Sequence, residues 1–289
     1  MNNQEYFKEI YRRSMHLRPV ANYSIYPPYH EGHYLEEYFL DHYLNLEVCG
    51  RILIPIFWTN CYLQFVSGIQ EFLNTLDPNK SYFTVSQHDD AIRERLPKDT
   101  ITFSAGGNAG QIPIPLICSA LHDIRTVNTV YGRNERTVIC SFVGSYTHPV
   151  RTEMCNTLNN IPGFVLNPKS WSDKVQSSEL ERFIDLTSKS EFALCPRGYG
   201  RTSFRLYEVM QLGAIPIYIY DDIPWLPFTD ELNWSEFSVV IHVSQLKNLP
   251  DTLNNISQIN RDNMRARMTE VYNDYFTLEG MSKNIMKRI

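Results

Sequence analysis

The chain has 289 residues, with 43% hydrophobic and 20% charged residues, a formal net charge of −5 and a pI near 5.9. An acidic balance of this kind excludes a broadly basic nucleic-acid binder, and no stretch approaches the roughly 18 apolar residues that span a membrane. The length predicts one large domain or two of about 130–150 residues, large enough to fold without disulfides or metals. The six cysteines are scattered with no CxxC pair, as expected of buried free thiols. "MNNQEYFKEIYRRSMHLRP" lacks the apolar segment of a signal peptide, so the expected location is a cytosol.

In chain order, "SIYPPYHEGHYLEEYFLDHYL" runs from an extended segment into a helix near Tyr34. "RILIPIFW" at 51–58 reads as a strand, followed by helix over about 59–75. "SYFTVS" at 81–86 and "TITFSA" at 100–105 are short β runs. "TVICSFVGS" at 137–145 is the clearest buried strand, with a helix through Met154 and Leu158 after it. "FVLN", a helix over 177–188, "FALC" and a helix over 202–212 continue the alternation, and "AIPIYIY" and "FSVVIH" add two strands. The stretches 244–258 and 261–286 are helical.

Apolar strands alternating with helices predict parallel sheets in an α/β protein, here in two sets divided near Tyr131 to Asn134. The expected organisation is an N-terminal Rossmann-like domain over 1–133 and a second over 134–260. Residues 261–289 are expected as a helix packing back across both. Two doubly wound halves would face each other across a cleft, with ligands beyond the carboxyl ends of the strands. The loops at 86–90, 144–151 and 196–202 all follow strands.

"SEFALCPRGYGRTSFRLYEVMQLGAIPIYI" carries the most chemistry. A strand ends at Cys195, and a tight loop containing Arg197, Gly198 and Gly200 leads into a helix. Glycine lets backbone approach a ligand, and the helix start offers free N–H groups and a positive dipole end. Thr202 and Ser203 suit a helix cap or a hydroxyl donor. Arg197, Arg201 and Arg205 bring three guanidinium forks, whose geometry matches phosphate oxygens, into an acidic chain. Arg201, Arg205 and Glu208 share one face of an otherwise apolar helix. Two readings stay open: an internal Arg205–Glu208 ion pair, or a diphosphate site in which Glu208 accepts from ribose hydroxyls.

This segment resembles the exostosin-like glycosyltransferases. The resemblance rests on Phe192, Leu194, Cys195, Pro196, Gly198, Ser203, Arg205 and Glu208, then Gly213 and Pro216, then Leu226, Pro227, Phe228 and Trp234. Val209 and Ile217 are conservative departures from its pattern. The match is close over about 190–245 and weaker elsewhere, through "SQHDD" and "FVGSYTHPVR". It implies a GT-B architecture and an inverting transfer from a nucleotide-diphosphate sugar, UDP-linked in most cases, to a glycan hydroxyl. It also implies that Arg151 faces the donor phosphates, the alternative being a solvated residue at a helix start. Within the family's range of sugars, UDP-xylose is the first expectation.

No Asp-x-Asp occurs, and the histidines show no zinc spacing, so no metal and no cofactor beyond the donor is expected. Arginines and a helix dipole are expected to stabilise the leaving diphosphate. His30, Glu31 and His33 resemble a metal cluster only superficially. An inverting transfer needs a base for the acceptor hydroxyl. Asp89, at the end of the 81–86 strand, is the first candidate, His88 the second, and Glu37 in "YLEEYF" the third. The rival function is a nucleotide-sugar- or glycan-binding pseudoenzyme of the same fold. No G-x-G-x-x-G follows an early strand and no P-loop occurs, which disfavours dinucleotide and P-loop enzymes. Family members in animals and plants carry membrane anchors, so a chain without one is expected to act in a bacterial or large-virus setting.

Overall fold

The computed structural model describes residues 1–20, 35–117, 135–172 and 176–289. The expected domain border at 131–134, His30, Glu31, His33 and Cys118 lie outside the described residues. The chain divides into two compact units, one of residues 1–119 with 277–289, the other of residues 120–276.

The first unit begins with α1 (Asn3–Arg13), which a reciprocal Asn2–Glu5 capping box starts. Its sheet holds β1 (Ile52–Leu53), β2 (Tyr82–Ser86), β3 (Ile101–Ser104) and β4 (Ile112–Pro113), all parallel and side by side in chain order. Every residue of β2 is buried, as a strand covered on both faces requires. Phe83 meets Phe39, Tyr43 and Phe103 edge-on at centroid distances of 6.0, 5.6 and 6.3 Å, which makes an aromatic core. Phe39 and Tyr43 come from α2 (Leu35–Leu44). The strand expected over 51–58 is only two residues long, because Pro55 cannot donate to a ladder. The helix expected over 59–75 is two short ones, α3 (Trp58–Leu63) and α4 (Ile69–Leu73). Phe65 and Gly68, at φ 55° and 87°, break it between them.

The second unit carries β5 (Val138–Ser145), β6 (Phe164–Lys169), β7 (Ser190–Pro196), β8 (Ile215–Tyr220) and β9 (Val239–His242). They form a parallel sheet in the order β6-β5-β7-β8-β9. The order reverses at β5, which makes this sheet doubly wound; among the described residues the first sheet shows no such reversal. Between the strands run α5 (Pro149–Leu158), α6 (Ser177–Ser188) and α7 (Phe204–Gln211). Beyond β9 follow α8 (Leu249–Asn254) and α9 (Gln258–Tyr275). Gly213 ends α7 in the left-handed region at φ 71°, a stop that favours glycine. Buried Cys140, Phe142, Met154, Phe192, Leu194 and Ile217 form part of the core. Trp234 donates from Nε1 to the Pro227 carbonyl at 2.9 Å and packs against Phe237 and Phe276, which gives the LPF…W pattern a structural role.

The C-terminal piece differs from the single helix expected over 261–289. Phe276 is buried against Tyr207, Trp234 and Phe237 and ends α9 inside the second unit. Thr277 then caps α10 (Leu278–Met286) by accepting from the Gly280 amide at 3.0 Å. This last helix belongs to the first unit.

Candidate functional site

In the second unit the strand order reverses at β5, and the carboxyl ends of the strands at such a reversal are the usual ligand position in open α/β sheets. The sequence places Arg151 just after β5 and the RGYGRTS segment just after β7, and the fold brings them together. Arg151, on the first turn of α5, is 7% exposed. Its Nε donates to the Arg197 carbonyl at 2.9 Å, Nη1 to the Ser145 carbonyl at 2.8 Å, and Nη2 to the Pro196 carbonyl and to Ser203 Oγ, each at 3.3 Å. Burial, with Arg205 nearby, lowers its pKa to about 10, so it stays charged at neutral pH. The guanidinium expected to face phosphate is thus bonded to carbonyls at both strand ends. It fixes the two loops against each other.

Arg197 is 6% exposed and equally engaged. Nη1 meets Asp221 Oδ1 at 2.7 Å and Asp222 Oδ1 at 3.3 Å, and Nη2 donates to the Tyr199 carbonyl at 3.0 Å. Arg201 Nε pairs with Asp222 Oδ2 at 2.7 Å. The Asp221-Asp222 pair, at the carboxyl end of β8, is therefore the counter-charge of the arginine loop. Burial works to raise the Asp222 pKa, but the Ile223 amide, Arg201 and Arg197 outweigh it and hold the carboxyl below its ordinary value. The loop closes through the Gly198 amide, which donates to the Thr202 carbonyl at 3.0 Å. Ser203 caps α7, its Oγ accepting from the Arg205 amide at 3.3 Å. Thr202 is buried, and its hydroxyl has no partner among the described residues.

Arg205 differs from the other two. Its Nη1 pairs with Glu208 Oε2 at 3.2 Å, both side chains are 21% exposed, and the guanidinium lies 3.7 Å over the Phe183 ring. Among the described residues no other side-chain hydrogen bond holds it, so it keeps donors free at the N-terminus of α7. The ion pair of the first reading is present.

His148, which sequence reasoning missed, caps α5 and reaches toward Asp221, with Nε2 3.9 Å from Oδ2. Burial first, then Arg197, lowers its pKa, so the imidazole is neutral near pH 7. The signal was the His-Pro pair at a helix start.

The other candidates lie in the first unit, at the carboxyl end of β2. The Leu35 amide donates to Gln87 Oε1 at 3.0 Å, which sets the start of α2 beside the 87–90 turn. Glu37 accepts from Asn60 Nδ2 at 2.8 Å. Asp90 pairs with Arg93 at 2.9 Å and accepts from Asn108. His88 stacks edge-on to Tyr62 at 4.9 Å, and burial together with Arg93 lowers its pKa. Asp89 is half-buried, and its backbone carbonyl accepts from the Asn108 amide at 2.9 Å. Gly106 permits this turn, since a Cβ there would lie 2.2 Å from Asp89 Cα and 2.4 Å from the His88 carbonyl.

The buried carboxyl of this cluster is Glu36, adjacent to the residue the sequence singled out. Its Oε1 accepts from the Gln87 amide at 2.7 Å and Thr59 Oγ1 at 2.8 Å, and its Oε2 from the Thr59 amide at 3.1 Å. Those bonds favour the anion, but complete burial wins and pushes its pKa up to about 7. Only its position on the inner face of α2 distinguishes it from Glu37.

Residues 66–256 match the Exostosin GT47 domain family, which covers well over half of the chain. The chain belongs to the exostosin GT47 family. The probable glycosyltransferase At3g07620 of Arabidopsis thaliana is 26% identical over 68% of the chain and 43% of its own length. The exostosin-1 homolog of Caenorhabditis elegans is 28% identical over 37% of the chain and 28% of its own length. This exostosin-family chain thus spans less than half the length of these relatives. Among solved structures, the pneumococcal O-GlcNAc transferase GtfA in complex with UDP and GlcNAc aligns over 71% of the chain and 44% of its own length, at 12% identity and a TM-score of 0.39. Among the described residues no helix is long and apolar enough to cross a membrane.

Proposed function

We propose that this exostosin-family chain is an inverting glycosyltransferase that takes a UDP-sugar and transfers the sugar to a glycan hydroxyl. The observation that carries the reading is Arg205. It stands at the N-terminus of α7, beside the reversal of strand order, paired with Glu208 and, among the described residues, otherwise free to donate. In this reading the diphosphate lies against Arg205 and Arg201 and the helix start, where the dipole favours negative charge. Arg151 and Arg197 hold the loop in shape, and Glu208 accepts from the ribose hydroxyls. Asp89 removes the acceptor proton as the hydroxyl oxygen attacks the anomeric carbon and UDP departs, with His88 and Glu37 the alternatives. The guanidinium charge and helix dipole take the role a divalent cation would otherwise have. UDP-xylose is the first donor to test. UDP-glucuronate is the second, because the rice relative GUT1 is named a probable glucuronosyltransferase.

UDP titrated into the full chain tests the donor reading. Arg205→Ala is expected to weaken UDP by about 1.5–3 kcal/mol, the scale of a charge-assisted hydrogen bond. Glu208→Ala is expected to weaken UDP while leaving pyrophosphate nearly unchanged. Unaltered UDP affinity in folded Arg205→Ala refutes the assignment, and UDP binding without transfer to any acceptor favours a pseudoenzyme.

A further inference from the structure

A groove of about 710 Å³ runs along α5 in the second unit, within the roughly 300–1,000 Å³ common for ligand sites. None of the site arginines lines it, nor does any lysine. One end is made by Tyr146 and Pro149, just past the end of β5. Tyr146 is 44% exposed, so its ring is open to a ligand. The floor is Thr152, Glu153, Asn156 and Thr157. These fall in two rows of i,i+4 neighbours on one helix face. Among the described residues none of these four side chains has a hydrogen-bond partner. Thr147, also in the lining, has a hydroxyl without a partner among the described residues.

An exposed polar helix face is ordinarily just solvated. Here the face lines an open groove that has the exposed Tyr146 ring at one end. It offers two threonine hydroxyls, an amide and a carboxylate in a short row. A pyranose has the complementary surface: C–H groups on one face for the ring, and hydroxyls at its rim that both donate and accept. Glu153 accepts from hydroxyls but repels anions. His148, also in the lining, adds no positive charge near neutral pH, since burial beside Arg197 keeps it neutral.

We infer that the α5 groove is a binding site for an uncharged oligosaccharide, with one sugar ring stacked on Tyr146 and its hydroxyls on Thr152, Glu153 and Asn156. A uronate-bearing or sulfated chain is disfavoured there. The inference rests on the glycosyltransferase reading only in making a glycan the expected ligand, and binding can be measured with no donor present.

The test titrates the full chain with xylohexaose and cellohexaose as neutral probes, and with a heparin hexasaccharide and hexagalacturonate as anionic ones. UDP affinity is measured in parallel on every variant. At least one neutral probe is expected to bind, with Tyr146→Ala weakening it about tenfold or more and Tyr146→Phe, which keeps the ring, much less. Paired substitution Thr152→Ala with Asn156→Ala is expected to weaken it about as much. UDP affinity should be unchanged in all three. Failure of both neutral probes to bind, tighter binding of an anionic probe, or neutral binding indifferent to Tyr146→Ala each overturns the inference. Loss of UDP binding in Arg205→Ala would still support the donor reading in any of those cases.

Discussion

Glu36 offers a prediction with a worked magnitude. Its pKa rises from an ordinary 4.5 to about 7 on folding, because burial outweighs the hydrogen bonds from Gln87 and Thr59. At 1.36 kcal/mol per pH unit, this corresponds to about 3 kcal/mol. For a carboxyl raised in this way, the folded state holds the proton where the unfolded state has lost it. The stabilisation is complete below pH 4.5 and is lost as pH climbs to 7, above which the curve is level again. Glu36→Gln has no proton to lose. It keeps an oxygen for the Gln87 amide and Thr59 hydroxyl but turns an NH₂ toward the Thr59 amide, a cost of about 1–3 kcal/mol that does not vary with pH. The stability difference, variant minus wild type, is therefore expected to grow by about 3 kcal/mol between pH 4.5 and 7.5. At roughly 2–4 °C per kcal/mol this is a relative Tm change of about 6–12 °C. Thermal melts across that range read it, and hydrogen exchange at the Thr59 and Gln87 amides locates it in the first unit. A Tm difference that stays constant with pH refutes the burial argument.

Gly106→Ala would drive a Cβ into backbone at the 88–89 turn, so transfer should collapse while UDP affinity in the second unit survives; normal transfer contradicts the close approach. Asp89→Asn should lower transfer by about 10²–10⁴ and spare UDP binding. If it does not, His88→Gln is the next variant. Because burial lowers its pKa, an acidic limb due to His88 falls below 6.5 in the pH–rate profile. Turnover should persist in excess EDTA; loss restored by manganese would replace the arginine account with a metal one.

Much of the second unit was legible in the sequence because its strands are long, apolar and separated by well-capped helices. The site motif was legible because its glycines and arginines break that pattern within a few residues. What each arginine does was not. Arg151, Arg197 and Arg205 are chemically identical in sequence. Their difference comes from burial and from carbonyls and carboxylates contributed by β5, β7 and β8. That Asp221 and Asp222 are the counter-charge of the arginine loop was not legible either, because their partners are over twenty residues away. In the first unit, Glu36 and Glu37 differ only in which side of α2 they occupy, and the two-residue strands β1 and β4 fall below the length at which periodicity says anything.

The return of the last helix to the first unit sets an order of events during synthesis. The second unit is one continuous stretch, residues 120–276, and has all its parts as soon as Phe276 has left the ribosome. The first unit has its sheet by residue 119 but waits for residues 277–289, whose Leu278, Met281 and Ile285 fill its core. Until then, the apolar surface those side chains cover is open. A ribosome stalled in between therefore carries a finished nucleotide-binding candidate beside an unfinished neighbour, and premature termination there harms the earlier-made unit more than the later one.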